Sequence, residues 1–113
     1  MTVREFLTAA TKRKAQRKRR KKREAIHEDI LLDFCNSKGL WCIKLVFLFG
    51  KGWPDRTVLI PGGRIVFIEM KKDTDAILSP KQKEVRKRLK RLGFVYLVGY
   101  GAPDAVKKLK RYL

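Results

Sequence analysis

The segment GWPDRTVLIPGGRIVFIEMKK, residues 52–72, sets the architecture of this chain. Two runs rich in β-branched and apolar residues, 57–60 and 64–71, flank Pro61-Gly62-Gly63. Such a tight connection is of the hairpin type, so the spacing predicts two adjacent antiparallel strands. Alternate side chains of a strand share a face, so Glu69 and Lys71 project together while Met70 points away. Asp55 begins the first of these strands, and the hairpin brings it to the same sheet edge as Glu69, fourteen residues later. Carboxylates inside the Ile, Val and Phe run of a basic chain call for a chemical reason.

Working outward, residues 25–37 place Ile26, Ile30, Leu31, Phe34 and Cys35 at helical period, and Lys38-Gly39 stops the helix. Residues 41–49 predict a buried strand that ends at GKGWP. After the hairpin, residues 79–92 predict a second helix with Val85, Leu89 and Leu92 on one stripe, closed by Gly93. Residues 94–98 predict a fourth strand. Residues 102–112 predict a short basic helix, with Pro103 in its first turn and Asp104 at its positive end. The expected fold is an α/β sandwich around a small mixed four-stranded sheet flanked by helices, an αβββαβ core.

The chain of 113 residues suits one domain with one modest core, and its 29 Lys and Arg against 11 Asp and Glu give a formal charge of +18. That excess implies a polyanionic partner, nucleic acid before an anionic membrane. No stretch has the length of a membrane span or the form of a secretory signal, so the expectation is a cytoplasmic protein that is neither secreted nor membrane-bound. Cys35 and Cys42 have no second Cys pair or His cluster beside them in the sequence, which predicts reduced core thiols rather than a zinc site.

Residues 1–24 carry eleven basic and two acidic side chains, half of the excess charge. They predict a basic N-terminal arm ahead of a folded domain over 25–113. Val3, Phe6, Leu7 and Ala10 fall at helical spacing, so the arm can be helical, although its self-repulsion favours fraying in isolation. One reading is a solvated tail or localisation signal. The other, favoured by charge density, is a phosphate-contacting arm whose cations, Arg17, Arg19, Arg20 and Lys21 among them, displace counterions.

The converging Asp55 and Glu69 fit a hard divalent cation, Mg²⁺ or Mn²⁺, which needs only one or two carboxylates when a substrate phosphate supplies the rest. The carbonyl of Met70 can add an oxygen. Lys71 then orients the attacking water or stabilises the charge that develops on the phosphate.

WPDR followed by IEMK resembles the Pro-Asp, spacer, Asp/Glu-x-Lys pattern of the PD-(D/E)XK nuclease superfamily. More narrowly, FGKGWPDR, the hairpin, FIEMK and the later LSPKQK look like the virus-type replication-repair nuclease (VRR-NUC) domain, over roughly residues 25–101. The resemblance implies a restriction-endonuclease-like fold and divalent-metal hydrolysis of DNA phosphodiesters. For small stand-alone members it also implies a homodimer that cuts branched DNA such as four-way (Holliday) junctions. It places a glutamate of the first helix as an outer metal or water ligand, here Glu28, and a glutamine near the lysine, here Gln82.

Each of these two has a rival role. Glu28, with Leu31, Leu32 and Cys35 on its own face, can instead pair with an Arg or Lys. Ser79-Pro80-Lys81-Gln82 also satisfies the capping-box pattern with Pro at the first helical position. Arg56, Lys72, Lys81 and Arg88 are further candidate phosphate contacts, the last two within a dense basic set on the second helix. Trp53 can stack on an unpaired base or simply pack. His27 has no readable catalytic partner beyond its neighbour Glu28. The rival to a nuclease is a non-catalytic basic nucleic-acid-binding protein, architectural or ribosome-like, whose acidic pair is structural.

Overall fold

The computed structural model describes residues 2–45 and 50–113, with the backbone alone described at residues 14 and 17–24. Three helices and four strands are formed among the described residues, in the order α1 (Val3–Ser37), β1 (Trp41–Ile43), β2 (Arg56–Ile60), β3 (Arg64–Lys71), α2 (Pro80–Arg91), β4 (Val95–Tyr100) and α3 (Ala102–Lys110). The sheet order is β1-β2-β3-β4. β2 runs antiparallel to β1 and β3, whereas β3 and β4 are parallel, with α2 as the crossover. This is the expected mixed sheet flanked by helices.

α1 differs most from its expected extent. The helix foreseen over residues 25–37 continues without a break through the arm to Val3, 35 residues in all. At 1.5 Å per residue that is about 52 Å, and it dominates the 62 Å long axis of the molecule. Thr2 starts it with a capping box: its Oγ1 accepts from the Glu5 N–H at 3.1 Å, and Glu5 Oε2 accepts from the Thr2 N–H at 3.2 Å. At the other end the Leu40 N–H reaches the Cys35 carbonyl at 2.9 Å and the Gly39 N–H reaches Asn36 at 3.2 Å. That paired termination turns the chain sharply and drops Leu40 into the core.

The strand expected over 41–49 is regular only to Ile43, and residues 46–49 of that reading lie outside the described residues. β4 begins one residue later than expected and runs two residues further, to Tyr100, because it follows β3 in register as far as Lys71. Each face of the sheet buries its own apolar set. Val58, Ile60, Val66 and Ile68 pack with Leu31 and Cys35 of α1 and Ala105 and Leu109 of α3. Phe67 and Tyr96 pack with Leu78 and with Leu89 of α2 on the opposite face. Cys35 and Cys42 are free and buried in the first cluster, as expected of core thiols. Among the described residues no helix is long and apolar enough to cross a membrane.

Candidate functional site

The alternation of β3 decides which side chains meet. Ile68 and Met70 face α1 and α3, while Phe67 and, by the same period, Glu69 and Lys71 face α2. Asp55 sits one residue before β2, whose first pair is Arg56 with Ile68. From there its Oδ2 accepts the Met70 N–H at 2.8 Å, so Asp55 is fixed against the backbone of the residue that follows Glu69. The hairpin thus brings the two carboxylates together, as the sequence predicts.

Glu69 is only 3% exposed. Its Oε1 accepts from Gln82 Nε2 at 2.9 Å, and its Oε2 is buried with no hydrogen-bond partner among the described residues. Burial first, and then the charge of Asp55, push the Glu69 carboxyl up to about 8, against an opposing pull from Lys71. Lys71 Nζ donates to Gln82 Oε1 at 3.0 Å. Gln82 therefore links the acid and the ammonium through the two ends of one amide.

The same amide closes the capping box of α2. Gln82 Oε1 accepts the Ser79 N–H at 2.9 Å, and Ser79 Oγ accepts the Gln82 N–H at 3.2 Å. The helix cap and the contact with Glu69 and Lys71 coexist in one side chain. The approach loop is seated on the same turn. Gly52 has φ +88°, and a Cβ there would lie 2.7 Å from both the carbonyl carbon and the carbonyl oxygen of Lys81, so the loop ahead of Asp55 requires glycine for conformation and for space.

A pocket of about 250 Å³ opens here, lined by Glu28, Asp55, Glu69, Met70, Lys71 and Lys72 together with His27 and Lys44. Glu28 is in the wall, but its Oε1 lies 3.5 Å from Arg56 Nη2 and 3.8 Å from Lys44 Nζ. The rival pairing foreseen for Glu28 is thus the arrangement present. Among the described residues no three His, Cys, Asp or Glu side chains come together as a metal-binding group. The acidic pair is Asp55 with Glu69, while Glu28 borders it in ion pairs of its own. Even so, a buried carboxyl oxygen with no donor among the described residues, next to a second carboxylate and on a side chain that borders the pocket, fits a hard cation that would satisfy it.

The basic candidates divide. Arg56 is 12% exposed and turned toward Glu28 rather than out to solvent. Lys81 is exposed and pairs with Glu84 at 3.6 Å, and Arg88 is exposed on the same helix. Lys72 is exposed at the pocket rim. Arg17, Arg19, Arg20 and Lys21 lie on the long N-terminal part of α1, whose side chains there are outside the description. Trp53 packs edge-on against Phe67, with ring centroids 5.4 Å apart. Lys44 was missed by sequence reasoning. Its signal was a single cation interrupting the apolar run from Trp41 to Phe49.

No family model and no curated protein matches the sequence. Solved structures do match. One, a "VRR_NUC domain", is 27% identical with a TM-score of 0.71, covering 80% of this chain and 96% of that one. Another, a "VRR_NUC domain protein", is 28% identical with a TM-score of 0.52, covering 57% of this chain and 55% of that one. A mixed four-stranded sheet with Asp55, Glu69 and Lys71 at one end belongs to the general class of PD-(D/E)XK nuclease folds. Within that class the chain is similar to VRR-NUC domains.

Proposed function

We propose that this chain is a VRR-NUC domain and a divalent-metal-dependent DNA endonuclease that hydrolyses phosphodiester bonds in branched duplex DNA, four-way junctions included, and acts as a homodimer. One observation carries the catalytic reading: the buried, unpartnered Oε2 of Glu69 beside Asp55, with the Lys71 ammonium tethered to the same carboxylate through Gln82.

Asp55, Glu69 and the carbonyl of Met70 would hold Mg²⁺ or Mn²⁺. Such an ion supplies charge neutralisation at the phosphate and a lowered pKa for an attacking water. Gln82 holds Lys71 Nζ at 3.0 Å, which fixes the ammonium where it can orient the water and stabilise charge gained by the phosphate oxygens. Glu28, at the pocket wall, is set to accept a hydrogen bond from that water once Arg56 and Lys44 turn toward phosphates. The exposed basic face of α2 begins within one turn of Gln82 and offers backbone contacts to the flanking duplex. One small domain covers one scissile phosphate, so symmetric cutting of a junction calls for two sites related by a twofold axis.

A protein that only binds nucleic acid gains nothing from directing buried carboxylates at phosphate, which they repel unless a cation intervenes. The deciding experiment incubates the purified protein with labelled linear duplex, flap, splayed-arm and four-way-junction DNA in Mg²⁺, Mn²⁺ or EDTA. Discrete products in metal, absent in EDTA and strongest on a branched substrate, are expected. Binding without cleavage of any substrate in either metal would move the assignment to a non-catalytic nucleic-acid-binding protein. Sedimentation equilibrium tests the dimer.

A further inference from the structure

His27 is the single histidine of the chain and lines the pocket with Glu28, Asp55, Glu69 and Lys71. Its Nδ1 accepts the N–H of Ala102 at 3.0 Å. Ala102 opens α3, whose N-cap, Gly101, has no side chain to serve that end, so His27 caps the helix from 75 residues away. The imidazole also lies over Gly101: a Cβ there would stand 3.5 Å from its Cε1, and φ is +82°. Gly101 in turn donates its N–H to the Lys71 carbonyl at 2.9 Å. His27 and Lys71 are therefore both fastened to one two-residue stretch of backbone, and their relative position is set by two hydrogen bonds.

With Nδ1 accepting, the proton of the neutral ring is on Nε2. Nε2 has no protein partner among the described residues. A metal-ligand role for Nε2 would need that proton moved to Nδ1, which would set two donors face to face at Ala102 and undo the cap. What the ring offers the pocket is one fixed donor, and the acceptor a nucleic acid brings is a phosphate oxygen. We propose that His27 is a substrate-binding residue that donates from Nε2 to a nonbridging oxygen of a phosphate of the bound strand, in register with Lys71. The proposal rests on the nuclease reading of the pocket.

The test uses ring nitrogens, which only one residue contributes. In protein labelled with ¹⁵N-histidine, the free state should show the Nε2–H tautomer, and saturating duplex DNA with Ca²⁺ in place of Mg²⁺ should shift the Nε2–H signal while Nδ1 stays an acceptor. His27→Asn keeps an acceptor at the Nδ1 position but removes the Nε2 donor. His27→Gln does the reverse. Asn should retain the melting temperature yet raise KM for DNA about tenfold, the order of one hydrogen bond to a charged group, whereas Gln should lower the melting temperature and restore part of the KM. An Nδ1–H tautomer, an Nε2 signal unmoved by saturating DNA, or an Asn variant with wild-type KM would overturn the proposal. Cleavage by wild type with an unmoved Nε2 removes His27 alone. A shifted Nε2 without cleavage in any metal removes the nuclease reading and leaves the phosphate contact standing.

Discussion

Gln82 donates to Glu69 at 2.9 Å with the same amide whose oxygen closes the cap of its own helix. Fold and site therefore share a side chain, and substitutions can separate the two. Gln82→Ala loses both the cap and the donor to Glu69, and should lower stability by about 1–3 kcal/mol along with activity. Gln82→Glu keeps the Ser79 capping box and the acceptor for Lys71, but sets a third carboxylate against Glu69. Its cleavage rate should fall about 100-fold or more, while α2 stays folded by far-ultraviolet circular dichroism. Equal rates for Gln82→Glu and wild type would leave Gln82 only the capping role.

Removing charge at the acidic pair should divide binding from chemistry. Asp55→Asn and Glu69→Gln are expected to abolish cleavage while DNA affinity, by fluorescence anisotropy, holds or tightens, because the first deletes a negative charge near phosphate and the second fixes the Glu69 position in a neutral form. Lys71→Ala should also block cleavage but leave metal affinity nearer to wild type. Calorimetric titration of Mg²⁺ in the presence of DNA distinguishes them: undiminished metal binding by the Asp55 and Glu69 variants would refute the ligand assignment.

Glu69 also predicts a pH dependence. Its carboxyl is pushed from the ordinary 4.5 up to about 8 by burial and by Asp55. The folded state therefore binds the proton more tightly than the unfolded chain. The stability this contributes is fully present below about pH 4.5 and is lost as pH rises toward about 8, with a slope of up to about 1.4 kcal/mol per pH unit. Denaturant melts of metal-free protein across that window should show the decline, and Glu69→Gln should flatten it. Mg²⁺ competes with the proton, so its affinity should increase with pH over the same window.

The hairpin and the meeting of Asp55 with Glu69 were readable from residues 52–72 because strand period and a Pro-Gly-Gly turn are local signals, and the αβββαβ order was readable from the periodicity of the segments on either side. The capping box was readable for the same reason. Whether Gln82 did one task or two was not, since that depends on the packing of α2 against β3. The pairing of Glu28 with Arg56 and Lys44 joins three separate elements and has no signature along the chain. The capping of α3 by His27 is equally nonlocal. The continuity of α1 reflects a balance between helix propensity and charge repulsion that composition left open.

Gly52 tests the seating of the approach loop. Gly52→Ala introduces a Cβ 2.7 Å from the Lys81 carbonyl group at a φ of +88°. Backbone of this kind cannot yield as a flexible side chain does, so the loop must lift away from α2. A loss of about 1–3 kcal/mol is expected by denaturant melt. Asp55 lies three residues on, so cleavage should fall by more than stability alone explains under conditions where the variant is fully folded. A variant that is destabilised yet cleaves at the wild-type rate would show that the loop does not position Asp55.

Deletion of residues 1–24 probes the arm. The cut leaves residues 25–37 of α1, and with them His27 and Glu28, while removing eleven basic side chains. Contacts to the DNA backbone carry charge but little base information, so binding to every DNA sequence should weaken by similar factors. The salt dependence should flatten as well, by about 0.9 in the slope of log K against log salt for each duplex phosphate that the shortened protein no longer neutralises. At low salt and saturating DNA, the shortened protein should still cleave, because Asp55, Glu69, Lys71 and Gln82 are untouched. Full-length α1 continues from the pocket wall into the arm without a break, so a second outcome is equally definite. If the deletion left the salt slope unchanged but eliminated cleavage by a folded protein, the arm would belong to the catalytic or dimeric assembly rather than acting as a tether.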